Sequence, residues 1–343
     1  MSTDGESLRQ TIAGLSADGY QRHALHGESS AWPEKNCYVD VWIELVHSLG
    51  LDPHAMLPVT VSLHFDGDQW TFLKPAHTDL FELYGVDVQE MNVWRTLHEH
   101  ALDYLGEGRL ISTEADAFWL PDTAGTDYQR KHTKSTIILA EIDPRAGTLG
   151  YFHNGGYFRL GGADYRATFR LDAEPSAEYM PLFAEVVHVD RVRRMSGRDL
   201  RERSARHLLR EISRRPVGNP VIGFTDRLRA ELPRLQERGL EYYHAWAFAN
   251  FRQLGAMCDL AARYFEWLFA DGAPERAELV QLHDEMSTLC KALVLKGARS
   301  VSSKKALDYS SFDTLINGWD TSLTLLRQYA RRVSGAAGDG PLP

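Results

Sequence analysis

The chain has 343 residues, 43% hydrophobic and 25% charged, a globular balance that suggests about two domains. Its formal net charge of −9 excludes a generally basic nucleic-acid binder and leaves room only for a local basic patch. No apolar run approaches the roughly 18 residues of a membrane span, and the start, MSTDGESLRQ, is polar and acidic, unlike a signal peptide, so a cytoplasmic protein with no membrane contact is expected.

The first strong element is PEKNCYVDVWIEL, residues 33–45. Tyr38, Val41, Trp42, Leu45 and Leu49 recur at helical spacing, Gly50 closes the run, and Asn36 is a good N-cap. Cys37 therefore falls in the first helical turn, where the positive end of the dipole favours thiolate. The alternative is a half-buried cysteine packing as a small hydrophobe. Cys258 and Cys290 read as buried hydrophobes, and three cysteines without CxxC indicate neither a disulfide framework nor a cysteine zinc site.

From about residue 56 to 160, VTVSLHF, QWTFL, GRLISTEADAFWL, STIILAEID and TLGYFHNGGYFRL read as strands. Between them HTDLFELYG and MNVWRTLHEHALDYLGEG read as helices. Residues 135–142 and 148–157 form a hairpin around the turn sequence DPRAG. After residue 175 every segment, PLFAEVVHV included, reads as helix. The expected organisation is an α+β domain over 1–170 with an antiparallel sheet, an all-helical domain over 171–332 that binds donor or acceptor, and a disordered tail over 333–343.

A thiol nucleophile needs a base and a group that orients it. His132 stands just before the strand of the hairpin, and His153 with Asn154 lies on the returning strand. Asp116 suits an ammonium group, and Asp68 and Gln69 follow the cysteine helix where an oxyanion donor is placed, with Gln69 supplying it beside the Cys37 N–H. Each also has a plain reading as a cap or turn residue. Tyr243, His244, Asn250, Arg252 and Gln253 add polar groups to an otherwise aromatic helical run, and Arg252 is taken as a substrate contact. Glu90 and Asn92 read as caps. Phosphate-loop, dinucleotide and HExxH motifs do not occur. No cofactor or metal of the protein's own is expected.

The blocks NCYVDVWIELVHSLGLDP, GDQWTFLKP, LYGVDVQEMNVWR, EADAFWLPDTAGTDYQRKHTKSTI and YFHNGGY resemble a bacterial family defined as a domain of unknown function, over about residues 20–330. More distantly, Cys37, the run Asp116-Ala117-Phe118-Trp119-Leu120-Pro121, and Tyr128 with His132 look like the butirosin-type acyltransferases. That likeness implies a papain-like, C39-peptidase-like N-terminal domain that moves an acyl group from a carrier-protein thioester to an amine. Members of the nearer family look similar to natural-product enzymes that use an aminoacyl-tRNA or aminoacyl-carrier protein as donor. The donor then carries its own phosphopantetheine or CCA end, and the acceptor is a small amine, hydroxylamine or hydroxyl. One departure is visible: the butirosin-type pattern has a second histidine where this chain has Ser135. The expected site is therefore Cys37 with His132 as base and Asn154 as orienter, His153 being the rival base.

The reading that follows is an aminoacyl transferase working through a Cys37 acyl-enzyme. Its alternatives are a cysteine hydrolase of the same fold, a direct transfer with His132 as base, and a binding protein on a degenerate papain-like scaffold. Two basic stretches, RVRRMSGRDLRERSARHLLREISRR and KALVLKGARSVSSKK, are either solvated helices with internal ion pairs or docking faces for an acidic carrier or tRNA phosphates.

Overall fold

A computed structural model describes residues 7–28, 30–172 and 180–335. It divides into two compact units, one from 1–26, 36–53 and 76–195, the other from 27–35, 54–75 and 196–343. Each is assembled from separated pieces of chain.

The first unit is α+β. Its elements are β1 (Arg9–Gln10), α1 (Cys37–Ser48), α2 (His77–Tyr84), β2 (Asp87–Glu90), α3 (Leu97–Gly106), β3 (Leu110–Asp116), β4 (Lys134–Asp143), β5 (Thr148–His153), β6 (Gly156–Gly161), α4 (Gly162–Thr168) and β7 (Ala184–His188). The strands form one antiparallel sheet in the order β2-β7-β3-β4-β5-β6, with β1 also on β4. β4 is buried along nearly its whole length, as expected of a strand covered on both faces. Helix α3 starts at a capping box: the Thr96 hydroxyl accepts the Glu99 N–H at 3.2 Å, and the Glu99 carboxylate accepts the Thr96 N–H at 3.1 Å.

Four expectations need correction. Residues of FAEVVHV form strand β7, hydrogen-bonded on one side to β2 and on the other to β3. A short apolar run with two adjacent valines fits either element by periodicity, and pairing to distant strands decides it. The sheet unit therefore extends past residue 170. VTVSLHF is not a strand, since Pro53–Ser62 forms a 3-10 helix. Pro58 lacks the N–H that a ladder needs, and the Thr60 hydroxyl bonds back to the Leu57 carbonyl at 2.7 Å. QWTFL contributes only the single bridge Phe65–Trp70. The hairpin around DPRAG is present, but its second strand ends at His153. There Asn154, at φ +44°, turns the chain into β6.

The second unit is helical: α5 (Gly197–Ser213), α6 (Pro220–Arg238), α7 (Leu240–Ala247), α8 (Gln253–Leu268), α9 (Arg276–Ser303) and α10 (Ser310–Ser334), with a π turn at Phe248–Arg252 between α7 and α8. Its core gathers Trp70, Phe224, Trp246, Phe251 and Phe312, with Phe224 stacked on Trp246 and the other rings edge-on or tilted. Of the expected tail, residues 333–334 end α10, while 336–343 lie outside the described residues. Among the described residues no helix is long and apolar enough to cross a membrane.

Candidate functional site

Cys37 is the first residue of α1. Asn36, in extended conformation at φ −149°, accepts the Tyr38 and Val39 N–H groups on its side-chain oxygen at 3.0 and 2.9 Å. This is N-cap chemistry, and it places the half-buried thiol at the positive end of the dipole. The thiol donates to Thr136 Oγ1 at 3.8 Å. Cys258 and Cys290 are fully buried, and burial pushes both thiols well up. Iodoacetamide should therefore alkylate Cys37 alone in the native protein and all three cysteines after denaturation, read by peptide mass. Equal labelling of the three without denaturant contradicts this.

Strand parity sorts the candidate bases. Successive side chains of β4 alternate, so Lys134 and Thr136 point to the α1 face and Ser135 and Ile137 to the other. His153 faces Ile137 across the ladder, and its Nε2 lies 2.6 Å from Ser135 Oγ. His153 thus belongs to the face opposite Cys37, which counts against the rival assignment. Asp116 faces Lys134, hence the α1 face, and its Oδ2 lies 2.6 Å from His132 Nδ1. The exposed His132 ring also stacks on Phe118 at 4.4 Å. The residue hydrogen-bonded to His132 is therefore Asp116, while Asn154 stands in the β5–β6 turn.

Asp116 is engaged on both oxygens, since Oδ1 accepts the Phe118 N–H at 3.1 Å, so it orients and caps instead of offering a free carboxylate to an ammonium. Tyr128 donates to Asp164 at 2.8 Å. Asp68 accepts from Arg227 at 3.1 Å within the helical unit, and Gln69 sits in the turn closed by Phe65 and Trp70. Arg252 donates to the carbonyl of Glu34 at 2.9 Å and that of Lys35 at 3.3 Å. A cavity of about 370 Å3 opens at the end of β3 and start of β4, lined by Glu114, Asp116, Trp119, His132, Lys134 and Arg170 among others. A larger depression of about 680 Å3 runs along α9 between Glu266, Arg276, Asp284 and Glu285, and none of the candidate residues borders it.

Two clusters were not foreseen. On the α1 face the buried Glu185 accepts from Ser112 at 3.0 Å and lies 3.4 Å from both Tyr38 and His77, while His77 Nε2 is 2.6 Å from the Tyr38 hydroxyl. Burial first, and Glu185 second, push the Tyr38 hydroxyl up. On the opposite face His153 Nδ1 lies 2.6 Å from Asp122 Oδ2, and Tyr151 donates to Asp122 Oδ1 at 2.5 Å. Ser135, His153 and Asp122 are separated by 13 to 31 positions, so the β4–β5 register and the fold of the Pro121–Thr123 turn are what bring this cluster together.

An antiparallel-sheet unit bearing a helix-start thiol, followed by an all-helical unit, defines a two-domain α+β chain. Family models match both parts, the DUF1839 N-terminal domain over residues 21–189 and the DUF1839 C-terminal domain over 197–328, and the chain belongs to this family. The junction between the matches falls just after β7, in keeping with that strand's place in the sheet. No curated protein matches the chain.

Proposed function

We propose that the protein is an aminoacyl transferase whose first unit is papain-like and whose nucleophile is Cys37. The observation that carries this reading is the half-buried thiol at the capped start of α1, on the same sheet face as the Asp116–His132 pair. In the reaction, Sγ attacks the carbonyl of an aminoacyl-tRNA ester or aminoacyl-carrier thioester. The C–O or C–S bond breaks, and the departing alkoxide or thiolate takes a proton relayed by His132. An amine or hydroxylamine then attacks the Cys37 thioester and restores the thiol. Asp116 accepts the His132 Nδ1–H and so leaves Nε2 as the base. Activated esters place a modest demand on that base, which suits a histidine as exposed as His132.

The test is intact mass after mixing with aminoacyl-carrier proteins and aminoacyl-tRNAs, wild type beside Cys37→Ala. An acyl-sized increase on the wild type alone supports the reading and identifies the donor. Loss of His132 should slow acylation by roughly 10²–10⁴-fold. No adduct and no donor consumption with amines present overturns it, and consumption to free amino acid without amine turns the reading to a hydrolase.

A further inference from the structure

We infer that Ser135, His153 and Asp122 form a second acyl-transfer centre, a serine site for small neutral carboxylic esters, independent of Cys37. The three groups satisfy the nucleophile, base and orienter relation in order: Ser135 Oγ to His153 Nε2 at 2.6 Å, and His153 Nδ1 to Asp122 Oδ2 at 2.6 Å. Tyr151 completes the chain through the other Asp122 oxygen. Burial first, and Asp122 second, push the Tyr151 hydroxyl far up, so it stays protonated and acts as a donor only. With the carboxylate held from both sides, Nδ1 carries the proton and Nε2 faces the serine with its lone pair.

The cavity of about 370 Å3 lies next to this cluster, although Ser135, His153 and Asp122 are not among its lining residues. Ala115 faces Ser135 directly across the β3–β4 ladder, Thr133 precedes Ser135 by two residues on the same face, and both line the cavity. Ser135 retains 6% of its surface and His153 1%, so the nucleophile keeps a narrow opening and the base is enclosed. Thr168, another lining residue, has a buried hydroxyl with no hydrogen-bond partner among the described residues. At the rim Lys134 pairs with Glu114 at 3.1 Å and His132 with Asp116, Arg170 adds a further cation, and Trp119 adds an apolar wall. The burial of Ser135 and His153 favours a small uncharged ester, since an ionic substrate would lose its hydration there.

In the reaction Ser135 Oγ bonds to the ester carbonyl carbon while its proton moves to His153 Nε2. The C–O bond to the alcohol breaks and the alkoxide takes that proton. Water, deprotonated by His153, then releases the carboxylic acid and regenerates the serine. No further reactant is needed.

The experiment uses an alkyl fluorophosphonate, whose P–F bond breaks as Oγ–P forms, with peptide mapping of the whole chain. The expected result is a phosphonyl group on Ser135, absent in Ser135→Ala and formed at least about tenfold more slowly in His153→Gln and Asp122→Asn. Hydrolysis of p-nitrophenyl acetate should fall in parallel. A map with no phosphonyl group on Ser135, or labelling undiminished by His153→Gln in a variant with wild-type melting behaviour, reduces the cluster to a structural network. The readout is a phosphonylated serine peptide, not donor acyl mass on Cys37, so this inference and the proposed function fail separately.

Discussion

His26→Ala should cost the fold about 3–5 kcal/mol, lowering the first melting transition by about 6–20 °C. His26 is fully enclosed between Asp40 and Glu44, which stand one turn apart on the inner side of α1 and are themselves buried. Its Nε2 lies 3.0 Å from Asp40 Oδ1 and its Nδ1 bonds Glu44. A carboxylate at each ring nitrogen requires both nitrogens to donate, so the ring is an imidazolium that neutralises two buried acids. Removing it leaves Asp40 and Glu44 without that cation in a dry interior, the situation that makes a broken buried pair expensive. Glu44 keeps the Tyr20 hydroxyl at 2.7 Å and the His23 N–H at 3.0 Å, which solvate but do not neutralise.

The same cluster sets a pH dependence. Burial raises the Glu44 carboxyl, but the His26 hydrogen bond and charge, with Tyr20 and His23, outweigh it and hold the group below the ordinary carboxylate range. A group with a depressed folded value contributes stability that is present above its unfolded value, about 4.3, and is lost as pH falls through the folded one. Wild-type stability should therefore decline below about pH 4. In His26→Ala the depressing cation is gone, so this acid-linked loss shrinks even though the variant is weaker at pH 7. Chemical denaturation at pH 7 and near pH 4 checks both statements. A pH 7 melting point within about 2 °C of wild type rejects the buried-cation account.

Much of the first unit is legible before folding. The 3.6-residue rhythm and Asn36 mark α1, and DPRAG marks the β4–β5 turn, because both signals are local. β7 is not legible, since Ala184–His188 acquires its identity from β2 and β3, whose residues lie some 70 to 100 positions earlier. The site divides in the same way. That Cys37 opens a helix follows from its neighbours. Which histidine can serve it follows from parity on β4, where Ser135 and Thr136 are one residue apart yet point to opposite faces, and no local pattern records that choice. Asp122, in the 3-10 turn Pro121–Thr123, joins His153 across 31 positions, so the Ser135 cluster depends on β4–β5 register and on the fold of that turn.

Gly85→Ala and Gly108→Ala form a pair that isolates the role of the arginine-dense segment. Both glycines sit in the left-handed region, at φ +75° and +77°, so each alanine carries a backbone cost of about 1–2 kcal/mol. Around Gly108 a Cβ meets open space, while at Gly85 it runs into the Arg191 carbonyl oxygen and lies 2.9 Å from the Arg191 carbonyl carbon. That obstacle is backbone and yields little, so Gly85→Ala should cost a further 1–3 kcal/mol, roughly the price of overpacking. The segment is held there by its own chemistry. Arg193 donates to the carbonyls of Phe81 and Glu82 at 2.5 and 2.8 Å at the end of α2, its N–H donates to Tyr84 O at 2.9 Å, and Arg194 donates to Leu49 O at 2.9 Å just past α1. Guanidinium groups at helix C-termini satisfy orphan carbonyls and oppose the negative end of the dipole. Further along, Arg198 pairs with Glu202, and Arg210 and Arg214 both pair with Glu211. These arginines are spent on capping and ion pairs, which favours the structural reading of this stretch over a docking face for phosphates. Urea titration of the two variants reads the difference directly, and equal losses at Gly85 and Gly108 would mean that residues 191–194 move away from α2 without cost.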